Sequence, residues 1–296
     1  MAKAKKRASD RLRITIDVFS GRENPVVEFT GKKLAEAVER LTPIESMGRK
    51  EVGLPPIPTL GYRGMIVEQV GMPLRKLPRA FRVADGSAFG PEFGMRIADD
   101  MFEEFVCGSV PKEIPGARLR EAVQEYRLLA DFWREFRWED LVPIVPSKCN
   151  CAPLYEPTWW NVPARQPYNN CYNYGTNYRT DTFAQPGRGA GDQYHSISCA
   201  DVKAAAVRDE LIDSPGANNK CPDEGHLVAL VVGSGWDYHW YRKGRDGMWT
   251  HKPGGTAVTK LDNAGNTISD PRTADRGWYT DFCTFMVVMH GHIKVS

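Results

Sequence analysis

"HLVALVVGSGWDYHWYRKGRDGMWTHKPGG", residues 226–255, decides the architecture of the C-terminal half of the chain. HLVALVV is an uninterrupted apolar run bounded by glycines, which marks a central strand. DYHWYRK (237–243) and MWTHK (248–252) flank GRDG (244–247), the signature of a hairpin. Three antiparallel strands in succession are expected. A turn centred on Arg245 sets His239 opposite His251, at a cross-strand distance of ~5 Å, so that one imidazole can orient the other.

Upstream lies "QPYNNCYNYGTNYRTDTF", residues 166–183. Asn170 is a good helix cap directly before Cys171, which places the thiol at a helix start, where unpaired N–H groups favour a thiolate. Gln166, five positions earlier, offers a side-chain amide to an oxyanion. Cys171 as nucleophile, His239 as base, His251 as orienter and Gln166 with the Cys171 N–H as oxyanion donors make up the minimal thiol-hydrolase constellation. Three alternatives stay open beside it. His226, at the start of the central strand, can serve as the base; Asp262 can replace His251 as orienter; and Cys171 can be a buried or disulfide-bonded structural residue.

Other candidates carry less. "LDNAGNTISD" (261–270) clusters Asp262, Asn263, Asn266 and Asp270 around Gly265, but the spacing of a calcium loop and its closing Glu are absent, so a turn between strands is expected. Cys149 and Cys151 are too close for the common zinc knuckle, and a four-thiol site with Cys199 and Cys221 is the minor reading. "GRGAG" (187–191) lacks the Lys-Ser or Lys-Thr of a phosphate loop. No metal and no organic cofactor is expected.

The N-terminal half reads differently. "LRITIDVF" (12–19) and "VVEFT" (26–30) alternate as strands around the SGRENP break, predicting a hairpin, and "GKKLAEAVERL" (31–41) has helical spacing. "RGMIVEQV" and "AFRVADG" follow as strands. Two helices close the half, the second carrying a stripe of Leu119, Val123, Tyr126, Ala130, Trp133 and Phe136. Pro143, Pro146, Pro153 and Pro157 then interrupt regular structure. The expected fold class is α+β, with a basic disordered arm over residues 1–11, a small α+β accessory or recognition domain over 12–145, and a catalytic domain over 146–296 in which a Cys-bearing helix packs on an antiparallel sheet.

The 296 residues include 39 basic and 37 acidic side chains, a net charge of +2, so no obligatory nucleic-acid partner is implied. No stretch reaches the ~20 apolar residues of a membrane span. No apolar segment follows the basic start, so no secretory signal is visible and a cytoplasmic location with reduced thiols is the expectation. Seven cysteines leave secretion by a non-standard route as its alternative.

The order of motifs, a Cys at a helix start followed by a strand meander bearing histidines, resembles the papain-like superfamily in the broad sense, with the Cys-His-His arrangement of the NlpC/P60 amidases as nearest analogue. The tyrosines and asparagines around Cys171 depart from the usual tryptophan or small residues, which leaves the substrate class open. "QPYNNCYNYG", "HLVALVV", "DYHWYR", "HKPGGT" and "DPRTADRG" also resemble a little-characterised group that includes an insoluble shell-matrix protein of bivalves, over roughly residues 145–288. The first resemblance implies a cysteine hydrolase or amidase acting on an amide bond in a peptide or cell-wall-like substrate, with a protein partner or the substrate positioned by the N-terminal domain. The second implies a binding or matrix protein that keeps the fold without turnover.

Overall fold

The computed structural model describes residues 10–41, 58–71, 74, 77–90, 93–97, 101–111, 114–135 and 149–296. The chain divides into two units. The first comprises Met1–Val18, Asn24–Pro56 and Tyr62–Asp131; the second comprises Phe19–Glu23, Ile57–Gly61 and Phe132–Ser296. The boundary expected at 145–146 and the first nine residues of the basic arm lie outside the described residues. Arg11, assigned to that arm, already opens the first strand.

In the first unit, β1 (Arg11–Ile16), β2 (Val26–Phe29), β3 (Met65–Val70), β4 (Ala80–Ala84), β5 (Ser87–Gly90) and β6 (Phe93–Ile97) form one antiparallel sheet in the order β2-β1-β3-β4-β5-β6. The period-2 pattern explains its register: Leu12, Ile14 and Ile16 are fully buried, and Ile14 faces Val27 on one side and Val67 on the other. Helix α1 (Gly31–Leu41) matches the predicted segment and buries Ala37 and Leu41. A short α2 (Phe102–Cys107) precedes α3 (Gly116–Glu135). Of the predicted stripe, Leu119, Val123 and Tyr126 are buried; the side chains of Ala130 and Trp133, and Phe136 altogether, lie outside the described residues. Asp17, buried at the end of β1, is ion-paired to Arg63 at 2.7 Å and Arg82 at 2.9 Å. Burial alone pushes its carboxyl up, but the two guanidinium groups outweigh this and bring it down to about 2.

The second unit contains α4 (Pro157–Trp160), α5 (Cys171–Thr176), α6 (Cys199–Arg208) and strands β7 (Ile212–Asp213), β8 (His226–Gly233), β9 (Asp237–Lys243), β10 (Trp249–His251) and β11 (Asp281–Val288). Pro157 occupies the first turn of α4, where its missing N–H is harmless, so one helical turn does form in the proline-rich stretch. The sheet order is β10-β9-β8-β11-β7, antiparallel throughout, with HLVALVV in the middle as its continuous apolar run requires. Val228, Leu230 and Val232 point to the face that carries Cys171, Tyr172, Val202 and Trp240. Leu227, Ala229 and Val231 point to the other, against Tyr241, Trp249, Tyr279 and Phe285. Helix α5 lies on β9 so closely that a Cβ on Gly175 would stand 3.2 Å from the Cβ of Trp240. The glycine that weakens α5 by propensity is what lets it seat.

Two disulfides, Cys149–Cys221 and Cys199–Cys283, tie the unit together, the second joining the start of α6 to β11. Cys107, Cys151 and Cys171 are free. Two bonds of this kind fit an oxidising compartment, and with it the alternative of secretion, better than the expected cytoplasmic location with reduced thiols. The four-thiol cluster also dissolves, because Cys149 and Cys221 bond each other while Cys199 bonds Cys283. Among the described residues no helix is long and apolar enough to cross a membrane.

Candidate functional site

Asn170 closes the first turn of α5 with a reciprocal capping box. Its Oδ1 accepts from the N–H groups of Tyr172 at 3.0 Å and Asn173 at 3.1 Å, while Asn173 Oδ1 accepts from the Asn170 N–H. Cys171 therefore sits at the helix start as expected. Its surroundings differ from the expectation of a partly exposed, ionisable thiol: the residue is fully buried. Burial pushes the thiol well above its ordinary value, and the Asp237 carboxylate adds to this; the Trp240 backbone N–H and the Lys252 ammonium act in the opposite direction and are outweighed.

His239 and His251 are brought together, with a corrected register. β10 pairs Trp249 with Lys243 and His251 with Tyr241, so His251 faces Tyr241 and not His239. The hairpin turn is displaced one residue beyond Arg245, which shifts every partner by two. Positions two apart share a face of a strand, and the diagonal still lets His251 Nδ1 approach His239 Nε2 at 2.9 Å.

The proton positions follow from the end of this array. The Leu261 carbonyl, 2.8 Å from His251 Nε2, can only accept, so His251 carries its proton on Nε2. Burial holds His251 down to about 4, hence neutral, and its Nδ1 accepts from His239 Nε2–H. His239 Nδ1 then accepts the hydroxyl proton of Ser20, whose Oγ is 2.6 Å away. Ser20 also lies against the Cys171 thiol, where its hydroxyl acts to lower the thiol and is outweighed by burial. The Gly254 N–H donates to the same oxygen at 3.1 Å. Cys171, Ser20, His239, His251 and the Leu261 carbonyl form one connected hydrogen-bonded array.

Three consecutive N–H groups of the Ser20–Arg22 bend converge on Asp237. Ser20 N lies 2.5 Å and Gly21 N 3.2 Å from Oδ2, and Arg22 N lies 3.0 Å from Oδ1. Tyr279 adds its hydroxyl at 2.6 Å. Burial raises the Asp237 carboxyl, while these four donors work to lower it; the net direction is upward. The Gly21 carbonyl oxygen receives Asn170 Nδ2 and Gln185 Nε2, both at 2.8 Å, and Tyr238 Oη at 3.1 Å. The Tyr238 hydroxyl shares its single proton with Gln185 Oε1, 3.0 Å away.

The remaining candidates fall elsewhere. Gln166 donates to the Gly255 carbonyl at 3.3 Å and offers its own carbonyl to Lys252, so the amide donors at the Gly21 carbonyl are Asn170 and Gln185 instead. His226 lies at the far end of α5 from Cys171, with Nε2 2.7 Å from the Gly175 carbonyl and Nδ1 2.9 Å from His290. It anchors the helix end, and burial lowers it to about 3. Asp262 does not orient His251. Its two oxygens accept the N–H groups of Asn266 and Asp275, which makes it the organiser of the 261–270 turn. The neighbouring Leu261 carbonyl takes the orienting role.

Sequence reasoning missed Ser20, Asp237, Gln185 and Tyr238. Asp237 had a usable signal, an acid two positions before His239 in an otherwise aromatic strand, hence on the same face. Ser20 had none, since it lies in what reads as a hairpin turn.

No family model matches the chain, and no solved structure does. Insoluble matrix shell protein 1 of Ruditapes philippinarum is 45% identical over 140 residues, which is 47% of this chain and 91% of that protein. The chain belongs to the family of insoluble matrix shell protein 1. Within the insoluble matrix shell protein 1 family, this chain carries additional sequence beyond the shared 140 residues.

Proposed function

We propose that the protein is a secreted binding or matrix-forming component in which the Cys171 array is held closed. One observation carries this reading: the Ser20 hydroxyl stands between the Cys171 thiol and His239 in a fully buried setting, with the thiol raised and not lowered. A thiol that is protonated and covered is a poor nucleophile. Membership of the shell-matrix family and the two disulfides support the same conclusion. The test is to incubate the full chain with a mixed peptide library between acidic and alkaline pH. No product is expected; product that disappears in Cys171→Ala would replace this reading.

A second reading, a papain-like cysteine hydrolase or amidase, is favoured by the amide donors gathered on a carbonyl oxygen beside Cys171. In it the Ser20 bend leaves, Cys171 attacks an amide of a peptide or cell-wall-like substrate, His239 takes the thiol proton and returns it to the leaving amine, and His251 fixes the tautomer of His239. Asn170 and Gln185 then stabilise the oxyanion. A protein partner bound through the first unit belongs to this reading. Its test is turnover by a variant in which the bend is released, for example Asp237→Asn, compared with wild type.

A further inference from the structure

The Ser20–Arg22 bend is held within the second unit through its main chain and through the Ser20 hydroxyl, which meets His239 and the Gly254 N–H. Its three N–H groups go to one carboxylate, and its central carbonyl goes to two amides and a hydroxyl. The binding side chains are buried: Asp237, Asn170 and Tyr238 are fully covered, and Gln185 is 2% exposed. Three successive N–H groups turned to one side make an anion nest, and Asp237 is the anion.

The central residue is specified by space. A Cβ on Gly21 would lie 2.4–2.6 Å from ring carbons of Tyr238, inside any tolerable contact. Tyr238 cannot yield easily, because its hydroxyl is tied to Gln185 and its ring packs edge-on against Tyr194 at 5.3 Å. The flanking side chains differ: Phe19 and Ser20 are buried, Phe19 edge-on to Trp236 and Ser20 on His239, while Arg22 is only partly covered. Arg22 stacks over Phe19 at 4.2 Å and donates to the Trp236 carbonyl. A cavity of about 530 Å³, lined by Arg22, Gln185, Arg188, Tyr194 and His195 among others, opens beside the bend.

We infer that the second unit carries a glycine-selective peptide site, occupied in this structure by the chain's own residues 19–23, whose ligand class is a Gly-containing peptide able to adopt the same bend. The inference goes beyond the matrix reading and requires no turnover. In wild type the tethered bend competes at an effective concentration on the order of millimolar, so a free peptide must be supplied at that level to displace it.

The experiment follows Cys171, whose thiol the Ser20 side chain of the bend contacts, by iodoacetamide labelling and peptide mapping of the full chain. Gly21→Ala is expected to speed Cys171 labelling at least about tenfold, because the site is then open most of the time and not only transiently. Synthetic Phe-Ser-Gly-Arg-Glu should return the rate to the wild-type value, and Phe-Ser-Ala-Arg-Glu should not. An unchanged rate in the folded variant, or equal action of the two peptides, overturns the inference. If Gly21→Ala does not fold, hydrogen exchange on wild type decides. Phe-Ser-Gly-Arg-Glu, but not its Ala counterpart, should speed exchange of the Ser20, Gly21 and Arg22 amides. Indifference of those amides to both peptides overturns the inference equally.

Discussion

Ser20 Oγ and His239 Nδ1 meet at 2.6 Å across 219 positions of sequence, and the contact is fully buried. Removing the hydroxyl deletes this buried hydrogen bond. Ser20→Ala is therefore expected to lower the unfolding free energy by roughly 1–3 kcal/mol, measured by urea titration. A change within a few tenths of a kcal/mol would show that His239 finds another donor.

Labelling of native wild-type protein should separate the free cysteines. Cys151 is exposed and Cys171 buried with a raised thiol, so Cys171 should react at least about a hundredfold more slowly than Cys151 near neutral pH. Mass mapping after timed iodoacetamide exposure reads this directly. Comparable rates would contradict the closed array.

Acid sensitivity follows from the buried histidines. His251 is held down to about 4 and His226 to about 3, both from 6.5, so the unfolded chain binds protons that the folded chain refuses. The stability they allow is fully present above about pH 6.5 and falls as pH drops from there toward 4 and then 3. For His251 alone the full loss is roughly 3 kcal/mol. Urea midpoints between pH 8 and pH 4 should decline along this limb, and His226→Gln should make the decline shallower.

The disulfides close long loops, with separations of 72 and 84 residues. Chain entropy assigns each about 4 kcal/mol of stabilisation. Thermal unfolding with a phosphine reductant should fall well below the untreated value. Insensitivity to reduction would mean that the packing of β8 between its neighbours suffices.

In the first unit, Asp17→Asn removes the buried carboxylate charge that pairs with the fully covered Arg63 and with Arg82. A loss of about 3–5 kcal/mol is expected, and it should appear in hydrogen-exchange protection of β1 and β3.

Much of the fold can be read locally because local rules determine it. The apolar run of β8, the alternation of β1 and the spacing of α1 each need only their own residues. The β9–β10 register depends on where one turn is centred, and a displacement of a single residue put His251 opposite Tyr241. The partner of His239 and the donors to the Gly21 carbonyl come from segments far apart in sequence, which no periodicity reports. Disulfide pairing is hidden for the same reason. Gln166 is the amide nearest Cys171 by the expected helix start, yet Gln185 reaches the carbonyl because residues 183–185 fold back on α5 through the Asn173 side chain and the Tyr168 carbonyl.

Asn170 performs two tasks with one amide group: its oxygen starts the helix that carries Cys171, and its nitrogen holds the Gly21 carbonyl. Evolution cannot adjust these tasks separately. Aspartate would keep the cap but set an oxygen against an oxygen; serine would keep the cap but lose the reach; glutamine would keep the donor but misplace the cap. The start of the helix and the hold on the bend therefore answer to one side chain, and Asn170→Asp would preserve the first while weakening the second.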